Sequence, residues 1–298
     1  MTDPIMRPAA AMGEMIVDDG FDLDAYLCRI GYDGPREPSL PALQAIVAAH
    51  SAAIPFENID VLLRRGIRLD IATLQSKLVQ RRRGGYCFEQ NTLLEAALRA
   101  LGFSIVTLVA RVVRGLPESA ATPRAHQLLR VELPEGPYIA DVGYGNLTPT
   151  APLALRPGQE QLTPNEPYRL MPHGSELLLL ARLGDVWDNL HRFGLEPALP
   201  VDYEMGSWYA STFPGSPFYA NLLVARPSPG RRTTLFNRRL AIRDRDGRVA
   251  RRILAGIDDY REALAEHFGL LLADDELAGV AAAMASRSAD EEVPRAFH

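Results

Sequence analysis

The chain has 298 residues and a formal net charge of −5, with 47% hydrophobic and 23% charged residues. That balance excludes a disordered chain and lacks the basic footprint of a nucleic-acid binder. No apolar run approaches the roughly 18 residues needed to span a bilayer, and since single cores stop growing at roughly 250–300 residues, two or three subdomains are expected.

Residues 1 to 20 read as a loose leader, in which Asp3, Pro4, Pro8 and Glu14 break any signal-peptide core, so the cytoplasm is the expected address. Phe21 to Leu27 opens a helix that Gly31 stops, and Ser39 with Pro41 starts a second. Asp70, followed by Leu74, Leu78 and Val79, starts a third helix that ends at Gly84-Gly85. Cys87 heads a fourth, with Leu93, Leu94, Ala97, Leu98 and Leu101 forming one apolar stripe closed by Gly102. From Phe103 the period changes. Phe103 to Val113, His126 to Leu133, Tyr138 to Val142 and Glu176 to Leu183 read as strands of a sheet or barrel. Residues 194–217, rich in Pro and Gly, read as a connecting segment. Phe218 to Ala225, Leu235 to Arg243 and Val249 to Leu254 read as strands, the last two joined by an Asp246-Gly247 turn. Helices follow at Asp258 to Phe268 and Asp274 to Met284, with a polar tail after Ala285. The resulting fold class is α+β, divided into a helical domain (1–86), a β domain (87–193), a connection (194–217) and an α/β domain (218–298).

Cys28 and Cys87 are the two cysteines, too few for a disulfide framework or a cysteine zinc site, and no metal is expected. Cys28 lies beside Leu27 and Ile30 in an amphipathic helix and reads as a core or surface thiol. Cys87 differs. A thiol at a helix N-terminus feels the positive end of the macrodipole, and Gly84-Gly85 before it would let backbone N–H groups approach a substrate oxygen. A nucleophilic thiol needs a base, and the base needs a third group to hold its tautomer. Among six histidines, His126 opens a β-run and has a carboxylate, Asp141, in the next expected strand. A lone carboxylate in the apolar run Tyr138 to Gly143 is costly to bury without a partner, and a histidine would supply one. His191 lies on a short polar stretch.

Arg83-Gly84-Gly85-Tyr86-Cys87-Phe88-Glu89-Gln90-Asn91 resembles the nucleophile motif of the arylamine N-acetyltransferases. Pro55-Phe56-Glu57-Asn58 and Asp141-Val142-Gly143-Tyr144-Gly145 resemble two further motifs of that family. Cys, His and Asp come in the family order, 39 and 15 residues apart, and the likeness runs from Leu23 to Leu272. The resemblance implies an N-terminal helical bundle, a central β-barrel and a C-terminal α/β lid around a Cys-His-Asp core like that of cysteine proteases. It also implies ping-pong transfer from acetyl-CoA, a co-substrate rather than a permanent cofactor, to an arylamine, arylhydrazine or arylhydroxylamine. Cys87 would carry the acetyl group, His126 would manage the proton and Asp141 would orient His126. Phe56, Gly143, Tyr144 and Phe218 would line the acceptor pocket, with the Tyr144 hydroxyl, where many relatives have Phe, altering acceptor choice. Nucleic acid and membrane are excluded as partners, and a monomer or homodimer is expected. A thiol hydrolase and a binding protein that has lost turnover are the rival readings.

Overall fold

The computed structural model describes residues 20–288. The leader expected over the first residues and the tail beyond Ser288 lie outside them.

Local signals start the helices where the sequence indicates. In α1 (Leu23–Ile30) the Asp22 side chain accepts the Ala25 N–H at 2.9 Å, and Gly31 stops the helix at φ +69°. Ser39 caps α2 (Leu40–Ala53), and Asp70 caps α4 (Ile71–Leu74). Between them lie the short β1 (Phe56–Glu57) and α3 (Ile59–Leu62). The third expected helix departs from plan: beyond Leu74 the chain winds as a π-helical turn, Gln75–Gln80. This wider turn keeps Leu74 and Leu78 in the core while the Lys77 ammonium reaches Asp60 and Glu89, at 2.6 and 2.7 Å. In α5 (Cys87–Ala100) the expected stripe is buried, and it packs with α1, α2 and α4 into one helical core.

An eight-stranded antiparallel sheet follows: β2 (Ser104–Val112), β3 (Arg124–Leu133), β4 (Gly136–Ala140), β5 (Leu153–Ala154), β6 (Glu160–Gln161), β7 (Tyr168–His173), β8 (Glu176–Leu183) and β9 (Val186–Phe193). Its order is β5-β4-β3-β2-β9-β8-β7-β6, and it curls into a nearly closed, barrel-like sheet around Leu108, Leu128, Leu179 and Leu190. Strand β9 escaped the sequence reading because a bulge breaks its alternation. His191 pairs with Leu179 and Asn189 with Leu180, so Leu190 is the extra residue, and Leu190 and His191 both face inward.

Residues 194–217, read as a connecting segment, contain a helix, α6 (Pro200–Thr212). Pro200 sits in the first turn, where a missing N–H costs nothing. Phe218 lies on the short α7 (Pro217–Ala220), and the expected strand starts only at β10 (Leu223–Ser228). Likewise the run Leu235 to Arg243 is two strands, β11 (Arg231–Phe236) and β12 (Arg239–Asp244), folded at Asn237 with φ +52°. β13 (Val249–Ile253) completes the order β1-β10-β11-β12-β13, and α8 (Ile257–Phe268) and α9 (Asp274–Ala285) share its core.

A buried ionic cluster ties the helical part to α9. Lys77 bridges Asp60 and Glu89, while Arg83 pairs with Glu57 and Glu276, each at 2.8 Å. Removing one member strands charges out of water. Lys77→Met is therefore expected to cost roughly 3–5 kcal/mol, read as a lower midpoint in urea unfolding with the slope unchanged.

Candidate active site

The Arg83 to Cys87 approach is shaped by close backbone contact. A Cβ at Gly84 would lie 2.1 Å from the Pro55 carbonyl oxygen, and one at Gly85 would lie 2.9 Å from the Glu89 side chain. The Gly85 N–H donates to Pro55 O at 3.4 Å, and Gly85 O accepts from Glu57 N–H at 3.1 Å. The Gly85 amide is thus committed to β1 and not to a substrate oxygen, contrary to the sequence expectation. These bonds also set the start of α5, where Glu89 accepts the Tyr86 N–H and holds Cys87 at the first helical position.

Cys87 is buried, and its thiol points to the Ala125 carbonyl at 3.8 Å. Ala125 is itself the extra residue of a bulge, since Ala110 pairs with His126 and Arg111 with Arg124. The local kink presents His126 toward α5. Nε2 of His126 lies 2.6 Å from Asp141 Oδ2. Burial alone would push this imidazole down, but the adjacent Asp141 carboxylate, its hydrogen bond and the contact with Cys87 outweigh it and push the pKa up to about 10. Burial acts the other way on Asp141, and His126 together with hydrogen bonding holds that carboxyl below its usual range. The structure thus brings Cys87, His126 and Asp141 from α5, β3 and the end of β4 into one buried chain of contacts.

The sequence reading missed the residue that fastens this chain. Asn91 lies one helical turn below Cys87, on the same face of α5. Its amide donates to Gln127 O at 2.6 Å and to Asp141 Oδ1 at 2.9 Å, and its oxygen accepts the Val142 N–H at 3.1 Å. The i, i+4 spacing from Cys87 was the available signal. Gly143 packs against the backbone of Cys87: a Cβ there would lie 2.6 Å from Cys87 Cα. Gly143→Ala must push the Asp141 loop away from α5. The expected loss is about 1–3 kcal/mol of stability and on the order of 100-fold in kcat/KM, measured by denaturation and steady-state rates.

Of the remaining expected pocket residues, Phe56 and Phe218 meet at a ring-centroid distance of 5.9 Å, and Phe218 also meets Tyr86 at 6.0 Å. Asn58 holds this corner, donating to the carbonyls of Phe218 and Asn221 and accepting the Leu223 N–H. Tyr144 sets its ring edge-on to His126 at 5.3 Å. Its hydroxyl donates to Leu190 O at 3.0 Å, so it is committed to the barrel wall rather than free to select an acceptor. A second histidine, His191, comes to 3.8 Å from Asp141 Oδ2, and its ring lies 5.0 Å from that of His126 at a tilt of 44°. His126, Asp141 and His191 each offer a ligand atom within 4.8 Å of the others. The short His126–Asp141 hydrogen bond already uses two of those atoms, which suits proton management better than metal binding.

A sequence profile described as N-acetyltransferase matches residues 39–277. An arylamine N-acetyltransferase of Mycolicibacterium smegmatis is 43% identical, over 85% of this chain and 93% of that one. One from Escherichia coli is 40% identical, over 88% and 95%. The solved structure of the Mycobacterium marinum arylamine N-acetyltransferase in complex with CoA superimposes with a TM-score of 0.84 at 41% identity, covering 88% of this chain and 98% of that one. With the profile spanning most of the chain and relatives matched over nearly their whole length, the chain belongs to the arylamine N-acetyltransferase family.

Proposed function

We propose that this protein transfers an acetyl group from acetyl-CoA to the nitrogen of an arylamine, arylhydrazine or arylhydroxylamine through an acetyl-Cys87 intermediate. The observation that carries the reading is the buried Cys87, His126 and Asp141 chain at the N-terminus of α5, in a family whose Mycobacterium marinum member was solved with CoA. In the first half-reaction the Cys87 sulfur attacks the thioester carbonyl, the bond to the CoA sulfur breaks, and His126 gives that sulfur a proton. In the second, the amine nitrogen attacks the acetyl carbon, its proton goes to His126, and the Cys87 sulfur leaves. Asp141 keeps Nε2 of His126 protonated so that Nδ1 faces the reacting atoms. The Cys87 N–H, at the first helical position where no intrahelical acceptor exists, stabilises the tetrahedral oxyanion.

Phe56 and Phe218 form the aromatic wall for the acceptor, Tyr144 orients His126 by ring contact, and Gly143 keeps the Asp141 loop close to Cys87. No helix among the described residues is long and apolar enough to cross a membrane, and both cysteines are free thiols, which fits work in the reducing cytoplasm.

Mass spectrometry of the full chain after brief exposure to acetyl-CoA, then to aniline, tests this reading. One acetyl group should appear on the Cys87 peptide and leave when the amine is added. An acetyl group that leaves at the same rate without amine would make the protein a hydrolase. Absence of acylation would overturn the transfer mechanism.

A further inference from the structure

The Asp141 carboxylate has one acceptor direction unfilled. Oδ1 receives the Asn91 amide and the Gly143 N–H, both at 2.9 Å, and Oδ2 receives His126 at 2.6 Å. The remaining side of Oδ2 faces Nε2 of His191 at 3.8 Å, about 1 Å beyond hydrogen-bond length. His191 is wholly buried, and among the described residues neither ring nitrogen has a hydrogen-bond partner. Two buried nitrogens left unpaired are costly, and an apolar ring would fill the same space without that cost. The β9 bulge is what turns this ring inward, and the Leu190 carbonyl that it exposes is taken by Val113 N–H and the Tyr144 hydroxyl. The titratable groups around His191 are Asp141 after β4, His126 on β3 with Cys87 of α5 beyond it, and Tyr144; β2 and β8 present Val112 and Leu179.

We propose that His191 is a positioning residue for the second half-reaction, donating its Nε2 proton to Asp141 Oδ2 while Cys87 carries the acetyl group. The proposal rests on the acetyl-transfer reading above. Once His126 has given a proton to the CoA sulfur, it is neutral, and Asp141 is left as a buried anion without a cationic partner. A shift of about 1 Å brings the His191 N–H onto the carboxylate at that stage. Burial, joined by the His126 charge in the resting state, pushes His191 down to about 3; burial also disfavours the charged ring in the acetylated state, so His191 acts as a neutral donor that does not compete for the proton. With a fourth donor, Asp141 raises the affinity of His126 for protons less, so the imidazole stays neutral at working pH and is available to take the amine proton as nitrogen attacks.

The test compares single-turnover rates of the two half-reactions in wild type, His191→Phe and His191→Gln, using acetyl-CoA and then aniline across a pH series. His191→Phe should slow transfer from acetyl-Cys87 to aniline about ten-fold and move the rising limb of its pH profile up by about one unit, a change worth about 1.4 kcal/mol. Acylation by acetyl-CoA should slow far less. His191→Gln, which keeps an N–H donor, should restore most of the transfer rate. Unchanged transfer and pH profile in His191→Phe, or a Gln variant as slow as Phe, would overturn the role. In the unaltered protein labelled with ¹⁵N-histidine, NMR should find the Nε2–H tautomer of His191, with its proton moving downfield on acetylation. An Nδ1–H tautomer overturns the role even if both variants misfold. A wild type that never acylates instead refutes the transferase reading itself, and this role with it.

Discussion

Cys87→Ala is expected to fold like the wild type and to lose acetyl transfer by at least about 10³-fold. The side chain removed is small, and its thiol makes a long contact to the Ala125 carbonyl and a contact to His126, so the stability change should stay near 1 kcal/mol. The proposed nucleophile, however, has no substitute. Cys28 is exposed on α1, and no other cysteine exists. The variant should release no CoA from acetyl-CoA and should show no acetylated peptide, while its thermal midpoint stays close to wild type. Cys87→Ser should behave in the same way, because a hydroxyl gives up its proton far less readily than a thiol. Retention of more than about a tenth of wild-type kcat/KM in Cys87→Ala would remove Cys87 from the mechanism, whatever the geometry around it.

Asp141→Asn should lose nearly as much activity, on the order of 10³–10⁴-fold, because an amide facing Nε2 of His126 favours the tautomer whose proton sits on the reacting side. It should also lose stability, with a pH dependence whose sign follows from the pair. His126 is held up to about 10 in the folded chain, above its ordinary 6.5, so its contribution is complete below about 6.5 and disappears as pH rises through about 10. Asp141 is held below its usual range, so its contribution is present above about 4 and lost as pH falls through its depressed value. The gap between wild type and Asp141→Asn should therefore be widest between pH about 4 and 6.5, at roughly 3–5 kcal/mol, and should narrow toward pH 10. Urea unfolding at pH 5.5 and pH 9.5 reads it directly. A gap of equal size at both values would assign Asp141 a packing role rather than an electrostatic one.

The boundary between what was legible and what was not follows the range of the interactions involved. Caps and stops act within one turn, which is why Asp22, Ser39, Asp70 and Gly31 announce their helix ends in the linear chain. The Cys87 stripe and the alternation of β2 to β4 are equally local. Cys87, His126 and Asp141 stood out because each is a costly or reactive residue in an otherwise apolar setting, and their order matched a family motif. Other features depend on partners far along the chain. β1 joins β10 through Phe56 and Ala225, and that pairing, with Asn58 on the Phe218 carbonyl, brings Phe56 against Phe218. Asn58 and Asn91 read as ordinary polar residues until the carbonyls and carboxylate they serve are folded around them.

The amino-acid sequence by itself determined where α1, α2, α4, α5, α8 and α9 begin, the α+β order and the three residues that the proposed chemistry uses, because capping, periodicity and the cost of burying a charge are written within a few neighbouring positions. The tertiary structure alone decided the π-turn that delivers Lys77 and the commitment of the Gly85 amide to Pro55. It alone also decided the Leu190 bulge that sends His191 to Asp141. Each of these is a local departure from regular geometry, and each is held by contacts with residues from other elements.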